Sequence, residues 1–335
     1  MQVEIDGEQV RALAYDDVVG VPEPGDVVVL NTTAQAAGLG TGGYVLVVAV
    51  PARLPADPAG PGHLVKARYT PLQTMVLGVD EQDSPAHATL RDADDLGGMP
   101  VVVADLHSAL PAIVAGIRAE RPQARVAYVM TDGGALPIAF SRTVAGLRDA
   151  GWLGVTVTVG QAYGGELEAV TLHSGLLAAR LVAHADIAVV AQGPGNLGTG
   201  TRWGFSGVSA GEAVNAVAVL GGNPVACLRV SQADPRERHR GVSHHSLTAY
   251  GRVALLRADV VVPALGPPLQ DLIETQVAPL GELHELVTVE VDGLMQALEG
   301  CPVPLATMGR GLTEDPAGFV AAAAAGRQAA RQLSP

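Results

Sequence analysis

Four side chains stand where they could move protons: His107, Asp132, Glu166 and His244. Each follows a short apolar run, and histidine and carboxylate groups exchange protons near neutral pH once burial adjusts them. These four are therefore the candidate catalytic residues. A second set suits an anion. The loop from Gly193 to Arg202 is rich in residues whose backbone amides can approach a ligand, so Gly193, Gly195, Asn196, Gly198, Thr199, Gly200, Thr201 and Arg202 are candidate ligand contacts. Arg236, Arg238 and Arg240 recur at a spacing of two, which in an extended segment puts them on one side. Guanidinium groups grip phosphate and carboxylate bidentately, although pairing with Asp234, Glu237 or a second subunit is an equal reading. Ser243 should cap a helix running to Leu256, with His244 and His245 in its first turn, where the helix dipole disfavours a charged imidazole. His245 joins the ligand set, and His244 is suited to act as a base.

Three motifs compete with this picture. Gly193-x-Gly195-x-x-Gly198 spells the dinucleotide fingerprint, but that fingerprint needs a helix opening at the loop and an acid about 20 residues on. The following strand ends instead in Arg229 and Ser231, so a generic anion cradle is the better reading and a nucleotide cofactor stays an open alternative. Gly207-x-Ser209-x-Gly211 resembles a nucleophile elbow, yet no strand runs into Ser209, and Ser209-x-x-Glu212 reads as a capping box. Asp105, His107, Asp132, Glu166, His239, His244 and His245 are all metal-ligand types. No His-x-x-x-His, His-Glu-x-x-His or paired-cysteine spacing joins them, so no metal is expected. Lys66, the only lysine, shares a strand face with Arg68, which reads as a solvated face.

The elements that must position these residues fall into two regions. From Met99 onward, apolar runs at Pro100–Ala104, Arg125–Met130, Leu153–Val159, Asp186–Ala191, Pro224–Val230, Asp259–Pro263 and Leu286–Val291 alternate with helical patterns such as Ser108–Glu120, Ile138–Ala150, Leu167–Ala183 and Gly211–Leu220. Unbroken Val/Ile/Leu runs suit strands buried on both faces. The fold class is therefore α/β, a doubly wound, mostly parallel sheet of Rossmann-like or flavodoxin-like type, whose ligands bind beyond the carboxyl ends of the strands. The alanine-rich Pro316–Gln332 should form a helix that caps the domain or an oligomer contact. Before residue 80, short β-type runs separated by Asp-Gly and Pro-Gly turns predict a small antiparallel β-barrel or sandwich, opening on an Asp6-Gly7 hairpin. The acidic stretch Asp80–Gly98 marks the boundary, giving a β domain over 1–95 and an α/β domain over 96–335.

Composition narrows the function classes. Of 335 residues, 48% are hydrophobic and 16% charged, which is a globular balance. The net charge of −13 repels nucleic-acid phosphates, and no Lys/Arg stripe offsets it, so no nucleic acid is expected as a partner. No run approaches the roughly 18 apolar residues of a membrane span, no leader pattern precedes Val10, and Cys227 and Cys301 are the only cysteines. A cytoplasmic protein with no membrane partner, a small anionic ligand and a homo-oligomeric state is the expectation.

Four segments carry a resemblance: Lys66-Ala67-Arg68-Tyr69-Thr70-Pro71-Leu72-Gln73, Tyr128-Val129-Met130-Thr131-Asp132-Gly133-Gly134-Ala135-Leu136-Pro137, Gly193 to Gly207, and Arg238-His239-Arg240-Gly241-Val242-Ser243-His244-His245. Together they resemble a bacterial family known as domain of unknown function 3866, over nearly the whole chain. The resemblance implies a shared fold and a bacterial origin, and transfers no catalytic residue. The residues alone point to an enzyme acting on a small phosphorylated or carboxylated metabolite. The alternatives are a non-catalytic ligand-binding or assembly protein, and an NAD(P)- or nucleotide-binding oxidoreductase.

Overall fold

In the computed structural model, which describes residues 1–57 and 60–334, Asp6 and Gly7 take φ of 52° and 85° and turn β1 (Gln2–Ile5) back into β2 (Glu8–Leu13). Positive φ at both central residues is what a tight hairpin matched to strand twist requires. The chain continues through helix α1 (Asp16–Val19), β3 (Val29–Asn31), α2 (Thr33–Ala36) and β4 (Val45–Ala49), and the sheet order is β1-β2-β4-β3. β2 and β4 pair in parallel, because a crossover rather than a hairpin separates them. The region is thus a mixed four-stranded sheet, not the antiparallel barrel or sandwich expected. β5 (Leu64–Lys66) and β6 (Thr74–Val76) form a separate hairpin, in which Lys66 is 2% exposed, against the solvated face expected for it.

The chain divides into two compact units, Met1–Leu77 and Gly78–Pro335. The division precedes the compositional boundary at 95 because Val79, Ala86, Leu90 and Leu96 are buried in the large core. In chain order the second unit holds β7 (Pro100–Val103), β8 (Val126–Thr131), β9 (Val155–Thr158), β10 (Leu167–Glu168), β11 (Ile187–Gln192), β12 (Asn223–Cys227), β13 (Val230–Ser231), β14 (Gly241–Val242), β15 (Asp259–Pro263), β16 (Glu285–Val289), β17 (Ala306–Thr307) and β18 (Arg310–Gly311). Eight of these form one parallel sheet in the order β10-β9-β8-β11-β7-β12-β15-β16. Its helices are α3 (His87–Leu90), α4 (Leu110–Glu120), α5 (Arg142–Asp149), α6 (Leu172–Leu177), α7 (Ser209–Val219), α8 (His244–Thr248), α9 (Leu269–Val277), α10 (Leu294–Glu299) and α11 (Pro316–Arg331).

Alternate strand residues feed two cores. Val101, Val103, Val129, Val190 and Val260 pack with Leu176, Val214 and Ile273 from α6, α7 and α9. Val102, Tyr128, Val189, Val225 and Val261 pack on the other face with Ile113, Val144, Leu294 and Ala323 from α4, α5, α10 and α11. This is why the runs show no polar alternation. The sheet is doubly wound, but β11 inserts between β8 and β7, so its order is neither the Rossmann nor the flavodoxin one. The expected helix from Leu167 starts at Leu172, because Leu167–Glu168 joins the sheet as β10. The tail helix α11 is internal. A Cβ at Gly116 would collide with the carbonyl of Ala323, and one at Gly326 with the carbonyl of Ile113, so α4 and α11 touch backbone to backbone.

Topology singles out one sheet edge as the candidate site. Connections after β7 and β8 run along the α4/α5 face, whereas those after β11 and β12 run along the α7/α8 face. Loops leaving the neighbours β8, β11, β7 and β12 therefore diverge to opposite faces and open a crevice at their carboxyl ends, the location at which open α/β sheets bind ligands.

Candidate functional site

The crevice floor is built from residues at three strand ends: Asp105 just past β7, Gln192 closing β11 and Arg229 just past β12. Asp105 is 4% exposed, and its backbone carbonyl accepts a bond from Gln192 Nε2 at 2.8 Å. Its Oδ2 lies 3.6 Å from His245 Nδ1 and 3.9 Å from Arg229 Nη1, and within hydrogen-bonding distance of no described group. Gln192 Oε1 and His244 Nε2 are likewise buried without a hydrogen-bond partner among the described residues. Leaving such groups unpaired costs about 1–3 kcal/mol each, so water or a ligand is expected to meet the three that gather at this strand edge.

Beside this floor three histidines converge. Ser243 caps α8 by accepting from the backbone N–H of His245, and its Oγ also lies 2.8 Å from His239 Nδ1. A short helical turn over Glu237–His239 folds His239 back to this point. One ring nitrogen from each of His239, His244 and His245 lies within 4.8 Å of the other two, the one such cluster of potential metal ligands among the described residues. Phe205 stacks on His245 with ring centres 3.8 Å apart and meets His244 edge-on. Burial, reinforced by the neighbouring charges of Arg229 and Arg236, pushes His239 down to about 3. Burial, with His245 and Arg238 nearby, pushes His244 down to about 4. Both rings are neutral at physiological pH.

A small cavity of about 40 Å³ adjoins the floor, lined by Asp105, Ser108, Arg229, Ser231, Arg310 and Asp315 among others. Its charges are held in place by buried carboxylates. Asp315 Oδ2 takes Arg310 Nε at 3.1 Å while Oδ1 takes the amide of Gln232 at 3.0 Å. Asp234 Oδ2 takes Arg310 Nη2 at 3.1 Å, and the same carboxylate grips Arg236 with two side-chain bonds of 2.9 and 2.8 Å. The Arg236 bonds, ahead of those from Arg310, hold the Asp234 carboxyl far below the usual carboxylate range.

The residues expected from sequence are distributed unevenly. His244 and His245 are in the crevice. His107 lines an adjoining cavity with Gly193, Gly195, Asn196 and Thr307, but its ring is fully engaged. Tyr128 donates its hydroxyl to the carbonyl of Gln192, His107 Nδ1 lies 2.9 Å from that hydroxyl, and Nε2 lies 2.7 Å from Ser141 Oγ. Burial pushes His107 down to about 4, so it is neutral in this arrangement. Asp132 is exposed and accepts the amide of Gln161. Glu166 is not in the crevice. The chain doubles back after β9 to lay down β10, carrying Glu166 to the level of Thr156, whose N–H it accepts, and into an ion pair with Arg148 at 2.6 Å.

The glycine-rich loop folds as a hairpin instead of a cradle. Gly193 N–H donates to the carbonyl of Thr131, Leu197 N–H to Ser206 Oγ and Thr199 N–H to the carbonyl of Gly204, while the Thr199 and Thr201 hydroxyls bond each other at 3.1 Å. Gly198 pairs with Phe205, and Arg202 stands on the exposed tip. The turn at Glu237–His239 also breaks the extended spacing expected of the arginines. Arg236 is locked onto Asp234, and Arg238 and Arg240 are exposed, with Arg238 reaching toward Gly200. Ser209 is already helical and donates to the carbonyl of Ser206, so it caps nothing.

The family described as Protein of unknown function (DUF3866) matches residues 11–326. The chain belongs to it. No curated protein and no solved structure matches. In this DUF3866 protein, two of the segments that carried the resemblance, Gly193–Gly207 and Arg238–His245, form the hairpin and the histidine cluster on one side of the crevice.

Sequence reasoning ranked neither Asp105 nor Arg229 as a site residue, although each stands just past a buried strand, and that position was the available signal. Gln192, as the polar end of an otherwise apolar strand, gave the same signal. Arg310 and Asp315 had none. They arrive from β18 and the start of α11, far along the chain.

Proposed function

We propose that this protein is an enzyme acting on a small phosphorylated or carboxylated metabolite held in the crevice beyond β11, β7 and β12. The observation that carries the reading is the meeting, at one strand edge, of buried unpartnered polar atoms on Asp105, Gln192 and His244 with a cavity lined by Arg229 and Arg310. Arg229 and Arg310 hold the anion; Asp234 and Asp315 fix Arg310 and His245 Nδ1 takes Arg229 at 3.1 Å, so little side-chain freedom is lost on binding. His244 presents its neutral, partly exposed ring to the reacting group. Asp105 and Phe205 orient His245 beside it.

The dinucleotide alternative has less support, since a hairpin rather than a helix follows Gly193-x-Gly195-x-x-Gly198. An assembly protein is favoured by one observation: the same hairpin exposes Leu197 (70%) and Trp203 (54%).

Thermal denaturation with inorganic phosphate, pyrophosphate and di- and tricarboxylates tests the proposal. A ligand at 100 times its Kd adds about 2.7 kcal/mol of stability. Arg229→Lys keeps the charge but loses the planar fork, and should weaken that stabilisation about tenfold in ligand concentration. Absence of any shift across the panel contradicts the reading.

A further inference from the structure

Three imidazoles within 4.8 Å of one another, in a crevice whose floor carries an unpartnered carboxylate oxygen, are more than packing requires. We propose that His239, His244 and His245 bind one divalent transition-metal ion of the zinc class. The inference rests on the crevice being the functional site.

The orientation of His239 and His244 supports it, and His245 needs one exchange of partners. His239 Nδ1 faces Ser243 Oγ at 2.8 Å, so with that nitrogen protonated its Nε2 carries the lone pair. His244 Nε2 is buried and has no hydrogen-bond partner among the described residues. His245 Nδ1 accepts from Arg229 Nη1 at 3.1 Å and lies 3.6 Å from Asp105 Oδ2; ligation through Nε2 requires Arg229 to turn to Asp105 Oδ2, 3.9 Å away, and Nδ1 to take the proton and donate to that carboxylate. A carboxylate behind a ligating imidazole fixes its tautomer and raises its basicity. Imidazole nitrogens bind zinc-class ions at about 2.0–2.1 Å, which in a tetrahedron sets ligand atoms roughly 3.4 Å apart, so shifts of about 1 Å in the rings suffice.

Ligand type sets the class of ion. Three neutral nitrogens suit zinc, cobalt, nickel or copper and do not suit magnesium or calcium, which want oxygen. Three protein ligands leave a position open to water or a substrate oxygen, as in catalytic rather than structural sites. Asp105, Asp234 and Asp315 stand against Arg229, Arg236, Arg310 and the Arg238 near His244, so a divalent ion adds to a positive surround that an anionic substrate would balance.

The test is titration of the chelator-treated full-length protein with Co²⁺, followed by visible absorption, with Zn²⁺ competing. One equivalent should bind and give the d–d bands of a four- or five-coordinate site, and Zn²⁺ should abolish them. His239→Gln and His244→Gln should each weaken Co²⁺ binding at least tenfold with the circular dichroism spectrum unchanged. If either variant unfolds, Ser243→Ala decides, since it removes the bond that orients His239 and the cap on the α8 turn that carries His244 and His245, and should weaken binding about tenfold. Failure of wild type to saturate at one equivalent, or undiminished affinity in the folded variants, overturns the proposal. Phosphate stabilisation of the metal-free protein without Co²⁺ binding sinks this inference alone. Co²⁺ binding without stabilisation by any anion sinks the anion reading alone.

Discussion

Two side chains show how buried groups couple stability to chemistry. His107 is held at about 4 by burial, against its ordinary 6.5. Between those values the unfolded chain takes up a proton that the native ring refuses, so this part of the stability is complete above pH 6.5 and drains away as pH falls toward 4. Urea denaturation should show a loss between pH 7 and pH 5 that is smaller in His107→Gln; an equal loss in both would contradict the assignment. Asp315, 1% exposed, accepts from Ser231, Gln232 and Arg310. Asp315→Ala leaves Arg310 with Asp234 alone and should cost about 3 kcal/mol by denaturant unfolding. The types of the crevice residues were partly legible: His244 and His245 could be named from the chain. Their company could not, because residues 239, 244 and 245 form no repeat that a regular helix or strand would bring together. The single turn at Glu237–His239 does so, and nothing in Arg-Glu-Arg-His-Arg announces it.

Secondary elements were legible where burial was complete. The strands from Pro100, Asp259 and their neighbours were read to within a few residues because unbroken valine runs belong to strands covered on both faces. β10, two residues long, gave no run to read, and its pairing with β9 is what removed Glu166 from the crevice. The glycine loop misled because its composition fits both an amide cradle and a tight hairpin, and hydrogen bonds such as that from Thr199 to Gly204 select the hairpin. At α4 and α11 composition has a direct physical meaning: glycine and alanine let two backbones touch. Gly116→Ala would force the helices apart and should destabilise the protein by about 1–3 kcal/mol, whereas Gly300→Ala, whose Cβ would meet only ordinary contacts, should be close to neutral. Equal thermal melts for the two variants would contradict the packing described here.

Across the whole molecule, the apolar clusters on both faces of the large sheet lie within residues 78–335, and the small cluster of Val3, Ala12, Val19, Val45 and Val47 lies within the first 77. A fragment beginning at Gly78 should therefore unfold cooperatively by calorimetry; a broad, non-cooperative transition would show that the large core depends on the first unit. No helix of the described residues is long and apolar enough to cross a membrane. What organises the molecule is the divergence of loops around β11 and β7, which sets Asp105, Gln192, Arg229 and the histidines at one edge. Crystals soaked with tungstate, a heavy-atom stand-in for phosphate, examine that claim most directly. Anomalous density should appear between Arg229, Arg310 and Ser108, beyond the ends of β7 and β12. Density confined to Arg202, Arg238 and Arg240 on the exposed loops, or none anywhere, would contradict it.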